Sequence, residues 1–186
     1  DGVTTTYLLD TATPLTMVLA EQTGTDPAIY YLHGLDLVAQ SDGASTGYFT
    51  YDGLGSVRQV VDEAGSPLLT QTFDPYGSLY ARAGIAGTAW GFPGEQADSS
   101  GLLYLRARYY APSQGRFFQL DPSRLEMNPY LYGAGNPILF VDPSGNICLD
   151  PFGPTGVHFR AEGCGYPAPN LATRMTEQVA RTLEDV

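Results

Sequence analysis

The stretches YFTYDGLGSVRQVV (residues 48–61) and TQTFDPYGSLYARA (residues 70–83) align without a gap. Tyr51 matches Phe73, Asp52 matches Asp74, Gly55 matches Gly77, Ser56 matches Ser78 and Val57 matches Leu79, which sets a period of 22 residues. The shared unit is aromatic-Asp-x-x-Gly. An aromatic residue anchors a strand end, the Asp side chain accepts hydrogen bonds from turn amides, and Gly supplies a positive φ before the next strand leaves. Asp52 and Asp74 therefore read as turn acceptors. Between the two copies, VVDEAGSPLLTQ offers another reversal at Glu63 to Pro67, so one period holds two short strands and two turns. Tyr51 and Phe73 should occupy equivalent positions. Such units bury their apolar faces by stacking on neighbours, which predicts more sheet upstream of Asp1.

Composition agrees with a β protein. Of 186 residues, 43% are apolar, enough for a real core, while 22 Gly, 14 Pro, 13 Tyr and 8 Phe favour short strands joined by tight turns. The net charge is −11 and every basic residue is Arg, a balance that repels a phosphate backbone and argues against nucleic acid as a partner. No apolar run reaches the roughly 18 residues of a membrane span. No signal peptide is visible, and an opening at Asp1 without Met suggests a piece of a longer protein. Cys148 and Cys164 are either a disulfide or two small thiols, and no metal-ligand spacing surrounds them. Neither cofactor nor metal is expected. His33 and His158 have no Ser or Cys pattern to join.

Downstream, LLYLRARYY alternates, placing Leu103, Leu105, Ala107 and Tyr109 on one face and Tyr104, Arg106, Arg108 and Tyr110 on the other, as in a single strand. SQGRFFQ reads as a turn into a short strand, NPYLYGAGNP as one helical turn, and ILFVD as a buried strand. Trp90 is expected in the core.

The aromatic-Asp-x-x-Gly copies resemble YD repeats. Residues 91–146 are similar to the Rhs repeat-associated core, through YLRARYY, GRF, DP, NPYxY, NP and DPxG in that order. The resemblance, which covers residues 30 to 146, is to the Rhs/YD-repeat proteins: bacterial polymorphic toxins, Tc toxin C components and teneurins. It implies a β spiral forming part of a hollow shell, closed at one end by a plug. The expected fold is therefore mainly β: antiparallel YD-repeat strands over residues 1–84, the Rhs core plug over 85–146, and an extension over 147–186 that ends in an α-helix over 170–185. Leu171, Met175, Val179 and Leu183 would give that helix one apolar stripe, for docking on the β body or on another copy of the chain.

In toxin members the resemblance further implies an effector held inside and a chain cut just after DPxG by aspartate chemistry. Asp121 and Asp142 occupy the two DP positions, the cleavage site would be Gly145 and Asn146, and Arg116 is the candidate supporting cation. Two carboxylates can hydrolyse a peptide when they share a proton. The alternative is that both aspartates brace turns through backbone amides, since Asp before Pro is a common turn opener. Asn146 stands where cutting members carry Leu, which predicts slow or absent cleavage. Three functions follow: a shell segment that closes around or presents C-terminal cargo, a single-turnover aspartic autoprotease, or an extracellular adhesion module marked by exposed aromatic residues. The expected partners are the rest of the same polypeptide, both upstream repeats and C-terminal effector, with self-association as an additional reading. A secreted or cell-surface location is expected.

Overall fold

Tight turns send the chain back on itself at short intervals, the last three of them Asp-x-x-Gly, and eight antiparallel strands result. They are β1 (Thr5–Asp10), β2 (Met17–Thr23), β3 (Ile29–His33), β4 (Leu37–Ser41), β5 (Thr46–Tyr51), β6 (Val57–Val61), β7 (Pro67–Phe73) and β8 (Leu79–Gly84). They pair in sequence order as one meander. The computed structural model describes residues 2–12, 16–34, 36–122 and 128–146, together with strands β12 (Cys148–Asp150) and β13 (His158–Arg160), which pair with each other. The anticipated helix over 170–185 and Cys164 lie outside the described residues.

Each copy of the turn has the same hydrogen bonds. Asp52 Oδ1 accepts the amides of Leu54 (3.0 Å) and Ser56 (2.9 Å), while its carbonyl accepts Gly55 N–H at 3.0 Å. Asp74 repeats this with Tyr76 and Ser78, both at 2.9 Å, and with Gly77 at 3.0 Å. Asp62 makes the same contacts to Ala64, Ser66 and Gly65, and Asp98 to Ser100, Leu102 and Gly101. The last two lack the aromatic residue, so the turn depends on Asp and Gly alone. A β-bulge falls at Thr50/Tyr51, at Val60/Val61 and at Thr72/Phe73, just before each turn aspartate in the sheet.

Tyr51 and Phe73 are equivalent in backbone and register, opposite Val57 and Leu79 respectively. Their surroundings differ. The Tyr51 hydroxyl donates to the Leu37 carbonyl, whereas Phe73 packs against the core of the plug.

One face of the sheet buries Tyr31, Phe49, Val57, Val60 and Leu69 beneath Trp90; the other leaves Tyr30, Leu32, Val38 and Tyr48 exposed. The eight-stranded sheet ends at Gly84. Residues 85–102, rich in Gly and Ser, cross its face with only isolated bridges such as Trp90 to Gln96. This crossing joins the two cores. Trp90 enters the sheet cluster, and Phe92, two residues on, enters a second cluster with Leu103, Leu105, Tyr110, Phe117 and Tyr132. Val57 N–H donates to Gly91 O at 3.0 Å, and the buried Gln71 amide donates to Trp90 O at 3.1 Å.

The plug contains a three-stranded sheet of β9 (Leu103–Leu105), β10 (Arg108–Ala111) and β11 (Arg116–Phe117), ordered β11-β10-β9. LLYLRARYY is thus a hairpin and not the single strand its alternation suggested. Arg106 sits at φ 59°, in the left-handed region, and the tight turn resets the alternation so that Leu103, Leu105, Arg108 and Tyr110 are the buried set. ILFVD is not a buried strand either. The Asn136 carbonyl accepts the amides of Leu139 and Phe140, each at 3.1 Å, which curls the segment and leaves Ile138 and Leu139 exposed. The helical turn in NPYLYGAGNP is a 3-10 turn over Gly133–Gly135.

Candidate active site

The reset of the hairpin turns Arg108 inward, where it forms the centre of the plug. Arg108 Nη2 lies 3.2 Å from Asp121 Oδ2 and 3.2 Å from Asp142 Oδ2. All three residues are buried, at 3%, 4% and 2% exposure respectively. The other two nitrogens of the guanidinium are also used: Nη1 donates to Pro129 O at 3.2 Å and Nε donates to Gly145 O. Its central carbon lies 3.6 Å from the centre of the Phe117 ring. A planar fork with five donors suits such a site, and lysine would not.

Asp142 has two functions, one for each oxygen. Oδ1 accepts Asn146 N–H at 3.0 Å and the Ser144 hydroxyl at 3.3 Å, while Oδ2 faces Arg108. The first set repeats the Asp-x-x-Gly turn of the sheet: Asp142 and Gly145 hold the places that Asp52 and Gly55 hold in the repeat. Gly145 has φ 72°, and a Cβ there would meet Leu105 O and Arg108 N. Asp121 is fixed by its own amide, which donates to Pro129 O at 3.0 Å, and by Arg108.

The structure therefore brings together Asp121, Asp142, Gly145 and Asn146. Arg116 is elsewhere. On β11 it alternates with the buried Phe117, points outward and stacks 4.8 Å over Tyr130; Arg108 is the cation between the carboxylates. Nothing in the sequence pattern singled out Arg108, although DPSGN at 142–146 carries the visible spacing of a repeat turn.

The peptide between Gly145 and Asn146 is held at both polar ends. Its carbonyl oxygen accepts from Arg108 Nε, and its N–H donates to Asp142 Oδ1. A guanidinium on the carbonyl oxygen is placed to stabilise negative charge developing there, and the carboxylate that accepts the N–H lies beside the nitrogen that hydrolysis would release.

A second buried acid lies nearby. The Glu95 carboxylate is paired with Arg106, and burial outweighs that attraction to push its carboxyl up to about 7. The folded chain then binds a proton between about pH 4.5 and about 7 that the unfolded chain has lost, so stability should fall as pH rises through that window. Glu95→Gln should flatten this slope, which is on the order of 3 kcal/mol in total. Urea unfolding at pH 5 and pH 7.5 measures it, and equal slopes in the two proteins would rule the assignment out.

No protein-family model matches the chain. Among curated proteins, the tRNA3(Ser)-specific nuclease WapA of Bacillus spizizenii is 32% identical over 120 residues, 59% of this chain and 5% of that protein. Toxin subunit YenC1 of Yersinia entomophaga is 31% identical over 105 residues, 52% of this chain and 11% of that protein. Double-stranded DNA deaminase toxin A of Burkholderia cenocepacia is 34% identical over 116 residues, 56% of this chain and 8% of that protein. Over these stretches the chain is similar to Rhs-type toxins. The crystal structure of TcdB2-TccC3 without its hypervariable C-terminal region matches 77% of this chain and 8% of its own, with TM-score 0.61 and 22% identity, a likeness of fold. The chain spans about a tenth or less of the length of these proteins.

Proposed function

We propose that this chain closes one end of an Rhs shell whose cargo follows on the same polypeptide. The similarity supports this through what the relatives do not have in common. A tRNA nuclease, a DNA deaminase toxin and a toxin subunit share this stretch, so the activities in their names belong to other parts of those proteins. What the stretch can supply is a wall and a lid, joined at Trp90 to Phe92. Export to the cell exterior fits the toxin relatives. Among the described residues no helix is long and apolar enough to cross a membrane. An adhesive role would use the aromatic residues on the outer face, Tyr30 and Tyr48, but both cores have their aromatic weight on the inside.

A second reading is favoured by the hold on the Gly145–Asn146 peptide: the lid hydrolyses that bond once. Water adds to the Gly145 carbonyl carbon and gives its proton to one carboxylate of the pair, with Arg108 facing the oxyanion. Collapse then breaks the C–N bond, and the other carboxyl group protonates the Asn146 nitrogen. The products are a Gly145 carboxylate and an Asn146 amine, which releases the cargo from the lid without opening the shell.

Intact mass spectrometry of the full chain and its Asp121→Asn variant tests this. The expected result is a slowly accumulating fragment that ends at Gly145 in the wild type and is absent from the variant. A wild type that stays whole for days would leave closure as the function and exclude hydrolysis.

A further inference from the structure

Three consecutive residues, the two of the β9–β10 turn and the first of β10, hold three consecutive carbonyls of the DPSG turn. Arg106 Nη1 donates to Pro143 O at 2.7 Å, Ala107 N–H to Ser144 O at 3.2 Å, and Arg108 Nε to Gly145 O. The first of these contacts is supported from behind, because Arg106 Nη1 also donates to Glu95 Oε1. Glu95 is 8% exposed and sits on the loop that joins lid to wall. Its own carbonyl accepts Gly91 N–H at 3.0 Å, and Gly91 O accepts the amide of Val57, the first residue of β6. A continuous set of contacts thus runs from β6 through Gly91, Glu95 and Arg106 to the carbonyl two residues before Gly145. Arg106 holds this position at φ 59°, a conformation costly for a residue with a side chain, which requires its surroundings to fix it.

We propose that Glu95 and Arg106 are positioning residues that set the pose of the Gly145–Asn146 peptide over Asp121 and Asp142, so that the peptide is held for hydrolysis only when the lid is seated on the wall. The link to hydrolysis rests on the self-cleavage reading above; the positioning itself does not. The hydrogen bonds of these two side chains go to each other and to Pro143 O. They act through Pro143 O, and a misplacement of about 1 Å at a reacting bond costs on the order of a hundredfold in rate.

Amide hydrogen exchange in the uncut Asp121→Asn chain reads the positioning directly. Adding Arg106→Gln or Glu95→Ala should speed exchange at Asn146 roughly tenfold, the loss expected for a charge-assisted hydrogen bond, while Val60 in the sheet is unchanged. Arg106→Lys, which keeps a donor for Pro143 O, should fall between. In the cleaving chain the same substitutions should slow appearance of the Gly145 fragment on the order of tenfold to a hundredfold.

A pH profile separates positioning from mere stability. Glu95 faces Arg106 from the β9–β10 turn and the Tyr132 phenol from the turn over 128–135, and its carboxyl is raised to about 7 by burial. As it ionises it draws Arg106 tighter, so the wild-type rate should rise through pH 7 and Glu95→Gln should remove that rise. Unchanged exchange at Asn146, or equal acceleration at Asn146 and Val60, overturns the positioning role. If exchange responds as expected while the wild type never cuts, the self-cleavage reading fails and the positioning stands.

Discussion

Arg108→Ala should unfold the plug at neutral pH, with a loss of about 3–5 kcal/mol. The substitution leaves the Asp121 and Asp142 carboxylates buried without the cation that both face, and it removes the donor to Gly145 O and the stacking partner of Phe117. Breaking one member of a buried ion cluster is far more costly than replacing the whole cluster, because the remaining charges stay where water cannot reach them. The combination Arg108→Met, Asp121→Asn and Asp142→Asn should therefore recover much of the loss. Chemical denaturation followed by circular dichroism compares them. A single variant as stable as wild type would mean that the guanidinium contributes nothing to holding the carboxylates.

The wall was legible in the sequence because Asp and Gly act locally. An Asp whose Oδ1 can reach the second and fourth amides ahead, with Gly three residues on, closes the turn in any context. The aromatic residue that made the first two copies visible also hid the others: Asp62 follows Val61, Asp98 follows Ala97 and Asp142 follows Val141. Read on Asp and Gly alone, DPSGN is one more repeat turn. Asp142 is thus a turn-former through Oδ1, while its Oδ2 faces Arg108.

Arg108 was not legible for the opposite reason. Its position depends on a turn at Arg106 and Ala107 that carries no Gly, Pro, Asn or Asp and that residues 143–144, far along the chain, hold in place. Alternation assigned Arg108 to the same face as Tyr104; the turn moved it to the side of Leu105. Tertiary contact overrode the local pattern, and the candidate site depends on that override.

Gly77→Ala should cost at least twice what Gly55→Ala costs, although the two glycines are equivalent in the repeat. Both have positive φ, 89° and 82°, so alanine at either position bears a strain of about 1–2 kcal/mol. Around Gly55 there is room: the nearest atom to an added Cβ is Pro93 O at 3.9 Å. At Gly77 the added carbon falls onto the ring of Phe92, which is 3% exposed and packed against Tyr132 with ring centres 5.9 Å apart. Overpacking there adds roughly 1–3 kcal/mol. Urea midpoints of the two variants measure the difference, and equal losses would mean that Phe92 moves aside freely. The asymmetry has a structural origin. Every copy of the turn needs glycine for its backbone, but at Gly77 the lid rests on the wall, so the missing side chain also makes space for Phe92. The same repeat turn that elsewhere only shapes the wall is here also the place where Phe92 packs, two residues beyond Trp90 and three before Glu95.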